Sequence, residues 1–228
     1  MSRTLIVPDI HEQIDKLWNI EETLMAQAAR VVMLGDFFDS FRPAGQQRDC
    51  AQWVKDHLGD DKFTILWGNH DCHYAFKHPA YRCSGYSADT QRIVSEVLTP
   101  DDYRKVKIST KVGKFLVSHA GFHPNLMVFT DDEVQQDALD AALSGKHHPI
   151  WSAGWARGGA AIVGGPVWLD WNEEFEPVEG TPQIVGHTNG KAVRTKQLNS
   201  EISYCLDTSL HHVMWVDEET NEVEIVEV

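Results

Sequence analysis

No apolar run in this sequence approaches the roughly 20 residues that a helix needs to cross a bilayer, and no transmembrane helix is expected. The start, Met1-Ser2-Arg3-Thr4, leads straight into a strand-like segment and lacks the apolar core of a signal peptide. Cysteine is sparse: Cys50, Cys72, Cys83 and Cys205 are scattered, with no C-x-x-C pair. That spacing excludes a disulfide framework and suits a reducing compartment, so a cytoplasmic protein is expected. Clustered positive charge is also missing. With a formal net charge of −14 and no Lys/Arg block, a stable complex with nucleic acid or an anionic membrane is not expected. There is no internal repeat and no low-complexity tract. At 228 residues and 42% hydrophobic content, one globular domain over residues 1–228 has enough apolar material for its own core.

What the chain does contain is a recurrence. Five short apolar runs each end abruptly in residues that ligate metals. Leu5-Ile6-Val7-Pro8 ends in Asp9 and His11, and Val31-Val32-Met33-Leu34-Gly35 ends in Asp36 and Asp39. Thr64-Ile65-Leu66-Trp67-Gly68 ends in Asn69 and His70, Phe115-Leu116-Val117-Ser118 in His119, and Gln183-Ile184-Val185-Gly186 in His187. Runs of this length, rich in Val, Ile and Leu, read as buried strands. Strands lying side by side would gather these carboxylates, imidazoles and the amide at one rim, where divalent metals bind.

Between the runs, residues 12–29 carry Ile14, Leu17, Trp18, Leu24, Met25 and Ala28 at helical spacing, which predicts an amphipathic helix and a right-handed βαβ unit. Further helices are expected over 47–58 and 88–98, and one opened by a capping box at Thr130-Asp131-Asp132-Glu133 and running to about Leu143. Residues 106–109 and 114–117 read as paired strands turning at Gly113, and residues 72–87 as a loop over the rim. The stretch 145–166, with six glycines and the string Trp151 to Gly159, reads as an active-site surround. From Pro182 onward, short alternating strands suggest an antiparallel meander. The sum is an α/β chain: a two-sheet β-sandwich flanked by α-helices.

The blocks Asp9-x-His11, Gly35-Asp36-x-x-Asp39, Gly68-Asn69-His70-Asp71, His119-Ala120-Gly121 and Gly186-His187-Thr188 closely resemble those of the calcineurin-like metallophosphoesterase superfamily, all five in order. The resemblance implies two divalent transition-metal ions. Asp9 and His11 would hold the first, Asp36 would bridge, and Asn69, His119 and His187 would complete the second. Oxygen and imidazole donors without thiolate favour Mn, with Fe, Zn, Co or Ni also suited. The implied chemistry is in-line attack on phosphorus by a metal-bridging hydroxide, with His70 as general acid and Asp39 orienting it. Taken alone, each block has a blander explanation: an acidic helix N-terminus, a structural histidine, a turn.

The last block, Gly186-His187-Thr188-Asn189, lacks the second histidine that many phosphodiesterases of the family carry, and Asn189 stands in its place. The Gly-His-Thr form is similar to the phosphoprotein-phosphatase branch, which includes bacterial and phage phosphatases and diadenosine tetraphosphate hydrolases. That branch places an arginine directly after the second Asp; here the sequence is Asp39-Ser40-Phe41-Arg42, so Arg42 is a candidate from a shifted position. Trp155-Ala156-Arg157 resembles the branch's W-x-R, making Arg157 the preferred phosphate-binding residue. The expected activity is phosphate-monoester hydrolysis on a phosphoprotein or a small phosphorylated metabolite. Diadenosine polyphosphate pyrophosphohydrolysis is the enzymatic alternative, and a non-catalytic scaffold the alternative of another class. Cys72, His73, His78 and His123 are read as loop and rim residues, the pairs His147-His148 and His211-His212 as surface or structural, and the tryptophans mainly as core.

Overall fold

The computed structural model describes residues 3–40 and 45–228. Among the described residues, ten strands form two five-stranded sheets. The first sheet takes β1 (Arg3–Val7), β2 (Arg30–Met33), β3 (Phe63–Ile65), β9 (His212–Asp217) and β10 (Val223–Glu227), in the order β10-β9-β1-β2-β3. The second takes β4 (Ser109–Val112), β5 (Phe115–Ser118), β6 (Gln183–Val185), β7 (Arg194–Leu198) and β8 (Glu201–Cys205), in the order β4-β5-β6-β8-β7. Helices α1 (Ile14–Thr23), α2 (Gln47–His57), α3 (Asn69–Ala75), α4 (Ala88–Val97), α5 (Pro100–Tyr103) and α6 (Asp132–Leu143) complete the α/β sandwich.

Alternation along the strands assigns the layers. In β1 and β2, Leu5, Val7, Val31 and Met33 face the helices and join Leu17, Ile20, Trp53 and Val54 in one core. Ile6 and Val32 point the other way, to a second core with Val112, Phe115, Val117, Ile184, Met214 and Val216 between the sheets. Both faces of β1 and β2 are therefore buried, which is why their sequences are apolar throughout rather than alternating. Each such side chain contributes about 1.5–3 kcal/mol on leaving water.

The strand pairing departs from the expected meander. β6 runs parallel to both β5 and β8, and β9 leaves the second sheet to pair antiparallel with β1. Only β7–β8 and β9–β10 are hairpins in this region. Alternation reports that a strand has one buried face, and that holds for either direction of pairing. Other boundaries shift too. β4 begins at Ser109 rather than 106, because Lys107 makes a parallel bridge to Leu66. The helix expected over 12–29 stops at Thr23 and is followed by a 3₁₀ turn over Met25–Gln27. The cap of α6 is Asp131, not Thr130: its carboxylate accepts from the N–H groups of Glu133 and Val134. The expected loop 72–87 begins as helix, since α3 runs to Ala75.

This topology positions the rim. β1, β2 and β3 are mutually parallel, as are β5 and β6, so five C-terminal strand ends emerge in two sets. Loop-to-loop hydrogen bonds lock them together. Ile10 and His11 N–H donate to the Asp36 carbonyl (3.1 and 2.8 Å), and Gly186 N–H donates to the His119 carbonyl (2.7 Å).

Candidate metal centre

At this rim the backbone is bent where the side chains must converge. His11, Asp36, Asp39 and His187 all have positive φ, at 44°, 51°, 63° and 64°. Non-glycine residues in this region cost on the order of 1–3 kcal/mol each and cluster at functional sites. Two glycines make the close approaches. A Cβ at Gly68 would sit 2.1 Å from Asp36 Oδ1, and one at Gly186 would sit 2.1 Å from Asp9 Oδ1.

The structure brings Asp9, His11, Asp36, Asn69, His119 and His187 together. His119 Nδ1 lies 2.8 Å from the Leu34 carbonyl, which only accepts, so the N–H is on Nδ1 and Nε2 presents its lone pair inward. That lone pair faces two further acceptors, Asn69 Oδ1 at 3.1 Å and Asp36 Oδ2 at 3.4 Å, with His187 Nδ1 at 3.2 Å. His11 is oriented the same way. Its Nδ1 donates to the Phe38 and Asp39 carbonyls (3.0 and 3.1 Å), and its Nε2 faces Asp36 Oδ2 at 3.7 Å. A backbone carbonyl behind each imidazole is the usual support of a ligating histidine.

Acceptors converging on acceptors call for a cation. Among the described residues, no lysine or arginine pairs with Asp9 or Asp36, though both are buried. Burial, then the neighbouring Asp207, pushes the Asp9 pKa well up. Burial lowers the His119 pKa, but Asp36 and Asp9 raise it further, to about 9. Both shifts express a shortage of positive charge at one point, which divalent ions would supply. Two overlapping sets, Asp9-His11-Asp36 and Asp36-His119-His187, each bring their ligand atoms within 4.8 Å of one another and share Asp36. The donor set fits the divalent metals expected from the sequence.

A family model for calcineurin-like phosphoesterases matches residues 2–190. The chain belongs to that family. As a calcineurin-like phosphoesterase it is a metal-dependent phosphoric ester hydrolase, acting on phosphorylated substrates. No curated protein matches its sequence. Among solved structures, it resembles a cold-active protein-tyrosine phosphatase of a psychrophilic Shewanella species at 15% identity and TM-score 0.66, covering 100% of this chain and 81% of that one. It also resembles a protein serine/threonine phosphatase from Saccharomyces cerevisiae at 16% identity and TM-score 0.53, covering 99% of this chain and 80% of that one. At such identities the likeness is one of fold. No helix among the described residues is long and apolar enough to cross a membrane.

Beside the phosphoesterase centre lies a donor-rich pocket. Asp39 Oδ2 lies 2.7 Å from both His70 Nδ1 and His73 Nε2, and Asp39 Oδ1 accepts from the Tyr74 hydroxyl. Burial raises the Asp39 pKa, but these three donors outweigh it and bring it to about 2. Burial lowers His70, and Asp36 followed by the Asp39 hydrogen bond raises it to about 11. His73 is fully buried here, so the sequence expectation of a rim residue is wrong for it. Cys72 is likewise buried in the main core, and His123 is buried near Glu176. His78 stays half-buried, as expected of a loop residue.

A cavity of about 640 Å³ opens over the centre, lined among others by His11, Asp36, Asn69, His70, Arg157 and His187. Arg157 is held at its edge: Nε lies 2.9 Å from Asp170 Oδ2, and Nη2 donates to Thr188 Oγ1 at 2.8 Å. Trp168 walls the cavity, whereas Trp151 and Trp171 are core and Trp155 is exposed. Arg42 lies outside the described residues.

Sequence reasoning missed four supports. Asp71 staples two loops, accepting from the N–H groups of Asp36 (2.8 Å), Phe37 (2.9 Å) and Gly68 (3.0 Å). Buried Glu174 organises the 154–164 segment by accepting from Ala156, Gly164 and Asp170 N–H groups. Asp207 holds Asn189 at the cavity through its amide nitrogen, and Asp170 aims Arg157. Only Asp71, inside a motif, had a visible signal; the other acids sit in unpatterned sequence.

Proposed function

We propose that this calcineurin-like phosphoesterase hydrolyses phosphate monoesters at a dinuclear centre within one domain. Asp9 and His11 would hold one ion, Asn69, His119 and His187 the other, and Asp36 would be common to both. The observation that carries this reading is the membership of Asp36 in both sets of converging ligand atoms. A shared carboxylate reduces the repulsion between two dications. The donors, oxygens and imidazoles without thiolate, favour Mn, with Fe, Zn, Co or Ni fitting the same cage. When bound, the ions supply Lewis acidity, acidifying the attacking water and neutralising phosphoryl charge.

The chain's own residues do the rest. Arg157, fixed by Asp170 and Thr188, offers a planar guanidinium to the phosphoryl oxygens at the cavity edge. Arg42, three positions after Asp39 in the sequence, is the second candidate for that grip. His70, charged by its carboxylate neighbours, donates its proton to the leaving oxygen, and Asp39 keeps the imidazole ring in one orientation. The Trp168 wall and the cavity volume also suit a nucleoside leaving group, which sustains diadenosine polyphosphate hydrolysis as the second reading.

The test is turnover of p-nitrophenyl phosphate, a phosphopeptide and diadenosine tetraphosphate by the Mn²⁺-loaded protein. Monoester hydrolysis is expected to dominate. Cleavage of the dinucleotide with neither monoester turned over would replace the first reading by the second.

A further inference from the structure

The loop between α3 and α4 brings a thiol to the donor-rich pocket beside the proposed dinuclear centre. Cys83 Sγ lies 3.2 Å from His73 Nδ1 and 3.9 Å from His70 Nδ1. The ligand atoms of His70, His73 and Cys83 all lie within 4.8 Å of one another, a group distinct from the two sets that share Asp36. Tetrahedral zinc, with Zn–S near 2.3 Å and Zn–N near 2.0–2.1 Å, places nitrogen and sulfur ligands about 3.6 Å apart. The two observed N···S separations fall on either side of that spacing.

The orientation of His73 strengthens the case. Cys83 N–H donates to His73 Nδ1 at 3.4 Å, so Nδ1 carries the lone pair, and Nε2 faces Asp39 Oδ2 at 2.7 Å. A histidine with a carboxylate behind one nitrogen and a lone pair on the other, here turned toward Cys83, is the arrangement found behind metal-ligating imidazoles. A route from solvent exists as well, since Ser84, the next residue, lines the cavity.

We propose that Cys83, His73 and His70 form an inhibitory site for a borderline or soft divalent cation of the Zn²⁺, Cd²⁺ or Co²⁺ class. Binding exchanges the Cys83 thiol proton and the His70 Nδ1 proton for the metal and releases both to solvent; no electrons move. The cation takes up His70 Nδ1 and withdraws it from Asp39, breaking the contact that orients the imidazole as an acid. Inhibition rests on the role given to His70 above, whereas binding does not. The thiolate separates this site from the dinuclear set, whose donors are all nitrogen or oxygen, so hard ions such as Mn²⁺ favour the latter.

The experiment titrates Co²⁺ into the Mn²⁺-loaded protein while recording the near-ultraviolet spectrum, alongside Zn²⁺ inhibition of monoester turnover. A thiolate-to-cobalt charge-transfer band is expected in the wild type and absent in Cys83→Ser. The same variant should keep its basal turnover and need about 10–100-fold more Zn²⁺ for half-inhibition. His73→Gln should weaken the band in parallel, and circular dichroism verifies that both variants are folded. A missing band in the wild type, or one that survives in Cys83→Ser, overturns the site. A Cys83-dependent band with undiminished turnover overturns the inhibitory role; whether the dinuclear reading itself fails is decided separately by turnover without Zn²⁺.

Discussion

Asp36 and Asp39 stand three residues apart on one loop, both buried, both with left-handed backbone, and their surroundings are opposite. Around Asp36, His70 N–H donates to Oδ1, but Oδ2 faces the lone pair of His119 Nε2, which also meets Asn69 Oδ1. Around the Asp39 carboxylate stand three side-chain donors: His70, His73 and Tyr74. The first environment demands a cation from outside the chain; the second is satisfied by the chain itself. Two carboxylates in nearly the same sequence context thus meet different partners, which suits one to the bridging role and the other to the acid-orienting role of the proposed mechanism.

Substitutions can break this comparison, beginning with the largest effect. Asp36→Asn removes the charge common to both metal sets. A Lewis-acid contribution of several kcal/mol corresponds to a turnover loss of about 10³-fold or more. Bound metal should fall together with activity, as read by elemental analysis of the purified variant; a variant with full metal content and full activity would end the bridging assignment. His70→Asn should slow turnover by about 10²–10⁴-fold, the span for a lost general acid, with metal content retained. Unchanged turnover would take His70 out of the mechanism.

Asp39→Asn should have the smallest effect on rate and the clearest effect on pH dependence. The His70 pKa is raised, so its ionic stabilisation is complete below about 6.5 and fades as pH climbs toward about 11. The Asp39 pKa is lowered, so its share is present above about 3.9 and fades as pH falls toward about 2. Between those limits the pair is charged. Without the carboxylate, His70 gives up its proton more readily, and the alkaline limb of the kcat/KM profile should move to lower pH. An unmoved limb would mean that Asp39 does not support the acid.

The same loop shows what could be read from residues alone. The strand-end recurrence of Asp9, Asp36, Asn69, His119 and His187 was legible, because burial forces continuous apolar runs and the turn after each run exposes one or two polar residues. His73 was not legible. Its place depends on α3 beginning at Asn69, which turns residues 70, 73 and 74 toward one carboxylate on a different loop. The direction of β6 was equally hidden, since a three-residue buried strand carries the same apolar pattern whether its neighbours run parallel or antiparallel.

By itself the amino-acid order determined which runs are buried strands, the α/β class and the five blocks that mark a calcineurin-like phosphoesterase. These are local properties: residue type, spacing and the reach of a few bonds. Only the tertiary structure decided which acceptors face one another, which carboxylate is surrounded by donors and which thiol lies against His73. Those outcomes depend on side chains separated by tens to hundreds of residues arriving within hydrogen-bond distance, as when His187 N–H meets Asp9 across 178 positions. Charge and proton affinity follow from that proximity, which no local pattern encodes.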